Sequence, residues 1–172
     1  MVKIKKAAEK ASVESDFSKA ANDADVTHHS GKNALAGKYR DLVSLHPQCK
    51  HTGSVDLDDH FREAEPNAPR WDYGLGIATG AQEYVFWLEP HPASSTSEVA
   101  SMVRKAKWLQ AKLAEPSFSG LKEMTRTTAV HGYKPFQWVF TGDLRVVPGS
   151  KEARALAQAG IDFPTRHTKL PR

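Results

Sequence analysis

One cysteine, Cys49, stands among the 172 residues, which excludes an intrachain disulfide and a cysteine-built zinc cluster. No apolar run approaches the roughly eighteen residues that a membrane span needs. The N-terminus carries lysines but no apolar stretch of the kind a secretory signal requires, so a cytoplasmic setting is expected. A GxGxxG fingerprint before a helix, a P-loop, a GxSxG elbow and an HExxH helix are all missing. Internal repeats are missing too, and low complexity is confined to the N-terminal thirty residues.

What is present is an ordinary globular composition, 40% hydrophobic and 26% charged, with a net charge of +4 that is unevenly spread. Residues 51–100 hold nine acids against Arg62 and Arg70, net −7, and residues 101–172 hold thirteen basic residues against five acids, net +8. Such a division suits either a carboxylate site ringed by cationic surface or two halves that neutralise each other.

Residues 1–30 read as a flexible arm and residues 31–172 as one α/β domain. Asn33 to Leu45 has the spacing of a short helix, and Asp56, Asp58 or Asp59 can cap another that ends before Pro66. Trp71–Ala78 and Gln82–Glu89 are strand-like, and a two-residue Gly80-Ala81 loop would pair Thr79 with Gln82. That register sets Gly74 opposite Trp87 and Asp72 opposite Glu89, with Trp71, Tyr73, Leu75, Ile77, Tyr84, Phe86 and Leu88 on the other face. Ser95 and Glu98 form a capping-box pattern ahead of a helix that runs towards Pro116. A loop is expected next, then a buried strand over 135–141, a helix capped by Ser150, and a last strand at 161–163. The order predicts a mixed central sheet flanked by helices, with the long helix as a crossover between parallel strands.

Two carboxylates facing each other across a strand pair repel, and a divalent cation removes the repulsion by taking an oxygen from each. Asp72 and Glu89 are therefore candidate ligands for Mg²⁺ or Mn²⁺, completed by the Pro90 carbonyl and water. His91, two residues further on the same face, is placed to bind metal, orient a water or contact a phosphate.

Asp72 in RWDYGLG, the return strand QEYVFWLEPHPA, the crossover helix from Ser95 and the strand FQWVF together resemble the PD-(D/E)XK nuclease superfamily over about residues 55–165. The resemblance implies a restriction-endonuclease-like core, Mg²⁺-dependent phosphodiester hydrolysis on DNA or RNA, and Asp72 and Glu89 as metal ligands. Glu63 corresponds to an additional metal-binding acid that some members carry. The chain departs from the pattern at the third position, where His91 replaces the usual lysine that positions water or stabilises charge.

Arg104, Lys105 and Lys112 on the long helix are the expected contacts to a phosphate backbone, and Trp108 beside them is a candidate for stacking. A second copy of the chain is a further expected partner; a membrane is not. His46, Cys49, His51 and His60 offer four zinc donors at a spacing short for a compact site. Two alternatives to hydrolysis stand beside it: a non-catalytic nuclease-fold protein that binds or assembles, and an unrelated small α/β protein.

Overall fold

The structure, a computed structural model, describes residues 14–172. Its centre is the hairpin of β4 (Tyr73–Thr79) and β5 (Gln82–Ala93). The register is the expected one, with Thr79 paired to Gln82, Gly76 to Val85 and Gly74 to Trp87. Gly80 takes the left-handed conformation that the tight turn requires, at φ +60°. Around the hairpin a five-stranded sheet runs β1-β3-β4-β5-β6, adding β1 (His28–His29), β3 (Cys49–Asp56) and β6 (Phe136–Leu144). All neighbouring pairs are antiparallel except β5–β6, which is parallel, as a crossover demands. A separate two-stranded parallel sheet joins β2 (Val43–Leu45) to β7 (Thr168–Leu170).

Period-two alternation gives the sheet two apolar faces. Tyr73, Leu75, Ile77, Tyr84, Phe86 and Leu88 pack with Leu35, Val43, Val139 and Leu170 on one side. Val55, Val85, Trp87 and Trp138 meet the helical layer on the other. Trp71 belongs to this helical side rather than to the Tyr73 face, because it precedes the first residue of β4 and escapes the alternation. The helices are α1 (Asp16–Asp23), α2 (Gly37–Arg40), α3 (Leu57–Phe61), α4 (Thr96–Leu113), α5 (Ser119–Val130) and α6 (Lys151–Gln158).

Several sequence expectations need correction. The first thirteen residues of the expected arm lie outside the described residues, and from Glu14 onwards the chain is not an arm. Ser15 caps α1, accepting from the Ser18 N–H at 3.0 Å, and Phe17 is wholly buried. Gly76 makes this packing possible: a Cβ there would stand 2.4 Å from Phe17 Cγ. Only Gly37–Arg40 of the expected 33–45 helix is helical, since Val43–Leu45 instead joins the β2–β7 pair. The expected loop after α4 contains α5, which buries Leu121, Met124 and Thr128. Thr128 Oγ1 accepts from the Val85 N–H at 3.1 Å, supplying a partner where β6 has not yet reached β5. The expected strand at 161–163 reduces to one bridge between Ile161 and Phe136. Among the described residues, no helix is long and apolar enough to cross a membrane.

Candidate functional site

One rung beyond the Tyr73–Leu88 pair, Asp72 and Glu89 come together as the hairpin register requires. The Asp72 backbone N–H donates to Glu89 Oε2 at 2.9 Å, fixing one carboxylate oxygen. The other, Oε1, is in direct contact with the Lys105 ammonium, which also lies 3.1 Å from Asp72 Oδ1. Lys105 projects from the middle of α4, beside the buried residues Met102, Ala106 and Leu109. Glu89 is fully buried, whereas the Asp72 and Lys105 side chains keep 21% and 18% of their exposure, so the cluster has one open side.

Burial pushes the Glu89 carboxyl well above the ordinary glutamate range, and the negative charge of Asp72 adds to this; Lys105 and the Asp72 N–H pull the other way without prevailing. Burial also works against the Lys105 ammonium, but Glu89 and Asp72 together outweigh it and hold its pKa above that of an ordinary lysine. The two acids thus favour the charged form of Lys105, while burial and Asp72 oppose charge on Glu89.

The other residues singled out from the sequence do not join this centre. His91 is turned towards the first turn of α4, its Nδ1 lying 3.3 Å from Glu98 Oε2 and 3.0 Å from the Pro92 carbonyl. Glu98 is thereby diverted from the capping box, and Ser95 stands at the N-cap without a side-chain cap bond. Glu63 is exposed, and the acid that reaches α4 from its segment is Glu65. Glu65 accepts from Trp108 Nε1 at 2.7 Å and contacts Lys112, which also pairs with Glu115 at 3.0 Å. Trp108 and Lys112 thus serve an internal clamp, with Lys112 lying over the Phe61 ring. Of the three expected phosphate contacts, Arg104 is the exposed one, bonded to Ser101 Oγ at 2.9 Å.

Glu98, Lys105 and Lys112 fall seven residues apart, which places them on one side of α4 at intervals of about 10 Å. Each meets an opposite partner: His91 on β5, then Asp72 with Glu89 at the start of the hairpin, then Glu65 in the turn after α3. Sequence reasoning missed Lys105 as a member of the centre because it lies among other cations and reads as solvated surface. The seven-residue spacing, set beside the apolar stripe through Met102 and Leu109, was the signal that could have found it.

No protein-family model, curated protein or solved structure matches this chain.

Two carboxylates fit Mg²⁺ or Mn²⁺, which keep waters and accept phosphate oxygens, better than they fit zinc. Among the described residues, however, no group of three or more histidine, cysteine or acidic side chains could hold a metal ion. Of the four candidate zinc donors, Cys49 Sγ is 3.1 Å from Thr79 Oγ1, and the His60 ring meets Phe61 edge to face. Burial and Lys32 pull the His51 imidazole down to about 4. An apolar cleft of about 610 Å³ between the end of α4, α5 and β6 shares no residue with the acid–lysine centre.

Proposed function

We propose that the chain is a nucleic-acid-binding protein on a nuclease-like core, in which Asp72, Glu89 and Lys105 form a closed ion cluster. Lys105 carries this reading, because its ammonium contacts an oxygen of each acid where a hydrolase would need a divalent cation. The succession of an antiparallel meander, crossover helices and a parallel strand supports the nuclease-like part of the reading. The groove between α4 and α6, about 500 Å³, has an apolar floor of Val99, Ala100, Val103 and Ala155 with Arg104 and Lys151 in its lining, and these two cations make it the best candidate for the phosphate backbone. Arg104 and Lys151 are exposed there, with Arg154 exposed on the same short helix as Lys151.

Mg²⁺-dependent phosphodiester hydrolysis is the second reading, favoured by the convergence of Asp72 and Glu89 on a lysine. The cation expected at position 91 would then come from α4, with Lys105 stabilising phosphate charge and His91 held aside by Glu98. Asp72 and Glu89 would hold the metal, which supplies charge for the phosphodiester and an acidified water.

Labelled single-stranded and duplex DNA and RNA, titrated against salt and then run on denaturing gels with Mg²⁺ or Mn²⁺, separate the two. The first reading predicts binding that weakens steeply with salt, intact product, and a log–log slope lowered by about one for each of Arg104→Ala and Lys151→Ala. Cleavage that disappears in Glu89→Gln would replace it with the second reading. An absence of binding at low salt would reject nucleic acid as the partner.

A further inference from the structure

We propose that the cleft of about 610 Å³ between the end of α4, α5 and β6 binds a small amphipathic organic anion, an aliphatic or aromatic body that carries a single carboxylate or sulfonate. The volume is that of a small-molecule site, and the lining passes from an apolar floor to a cationic rim. Leu113, Pro135 and Phe136 are buried at the floor, with Tyr133 and Ala129 beside them. Lys122, Arg126 and Lys134 stand exposed at the rim.

Helical spacing builds this rim. Lys122, Arg126 and Ala129 follow one another at four and three residues along α5, so they share a face, while Leu121, Met124 and Thr128 are spent on the core. Lys134 comes from the opposite wall, just ahead of β6. Glu123 is the one acid of the lining, and it is taken up by Arg126, whose Nε donates to Oε2 at 2.9 Å. Lys122 and Lys134 pair with no acid among the described residues, which leaves the mouth of the cleft positive. Polar groups within the walls are already engaged. Thr125 Oγ1 donates to the Leu121 carbonyl at 2.7 Å and accepts from Trp87 Nε1 at 2.9 Å, and Gln110 Nε2 donates to the Ala159 carbonyl at 3.3 Å. The walls therefore favour an apolar body over a sugar, whose hydroxyls would lose water without finding partners, and the two lysines favour one anionic head. The cleft shares no lining residue with the α4–α6 groove, so such a ligand neither occupies nor requires the nucleic-acid surface proposed above.

Fluorescence of anilinonaphthalene sulfonate, itself an aromatic anion, titrated with the full chain tests the site, with decanoate, decanol, decylamine and inorganic phosphate as competitors. Saturable dye binding is expected, displaced by decanoate, by decanol only at about three- to tenfold higher concentration, and by neither decylamine nor phosphate in the decanoate range. Ala129→Trp fills the apolar wall from an exposed helical position and should weaken both dye and decanoate by about tenfold or more; Ala129→Phe serves if the tryptophan variant does not fold. Lys122→Met combined with Lys134→Met keeps the long apolar stems and should weaken decanoate by about three- to tenfold while leaving decanol unchanged. Arginine at both positions should restore decanoate. Decanoate should also raise the melting temperature of wild type and not of Ala129→Trp, which separates a site on the folded chain from dye adhering to loosened structure. Absence of saturable dye binding, unchanged affinity in the Ala129 variants, or equal competition by decanol and decanoate would each overturn the proposal. Displacement by phosphate as effective as that by decanoate would overturn it too, since the cations alone would then be the site.

Discussion

Glu89 and Glu65 both face lysines of α4, yet they titrate in opposite senses. Burial raises the Glu89 carboxyl, with Asp72 adding to the effect. Hydrogen bonds from Lys112 and Trp108 hold Glu65 below its ordinary value of 4.5. A raised folded pKa means that the folded chain binds the proton more tightly. The Glu89 contribution to stability is therefore complete below 4.5 and is lost as pH rises through its raised value. The Glu65 contribution is present above 4.5 and is lost as pH falls through its depressed value. As pH rises above 4.5, Glu89→Gln should gain stability relative to wild type, whereas Glu65→Gln should be least favourable at neutral pH and approach wild type in acid. Urea denaturation across that range checks both slopes, and two variants with parallel pH profiles would contradict the opposed environments.

At the scale of elements, close approach across glycine decides what can pack. A Cβ at Gly74 would meet Trp87 Cζ3 at 2.6 Å and Val55 Cγ2 at 2.9 Å, both in the core. Gly74→Ala should cost about 1–3 kcal/mol through forced displacement of these side chains. Phe17→Ala should cost about 3–5 kcal/mol if α1 is an integral layer, measured by the same denaturation. A value near zero for Phe17→Ala would return this helix to the status of an arm. The hairpin was legible because Gly80-Ala81 and alternating aromatics fix both turn and register, and with them the meeting of Asp72 and Glu89. The long α4 was legible from its apolar spacing. By contrast, β3 has the polar sequence CKHTGSVD and gains its place from neighbouring strands. The threonine-rich α5 is held by tertiary bonds such as Thr128 to Val85. α1 offers only Phe17, Ala20 and Ala21 to the core, too few for a visible stripe in a lysine- and alanine-rich segment. Lys105 was hidden for the related reason that its partners are remote in sequence.

For the whole molecule, the formal charge of +4 is a poor guide to the surface, because basic residues are spent internally. Lys105 and Lys112 answer acids of the middle segment, as does Arg70 with Asp58. The two halves of the sequence thus neutralise each other in part, and Arg104, Lys151 and Arg154 remain exposed beside the α4–α6 groove. The proposed closed ion cluster requires Asp72, Glu89 and Lys105 to act as one centre. A double-mutant cycle on Glu89→Gln and Lys105→Met, by urea denaturation at neutral pH, measures this most directly. The closed centre predicts that the two changes are non-additive by about 1–3 kcal/mol, the second costing less once the first has removed its partner. Additivity within about 0.5 kcal/mol would contradict it.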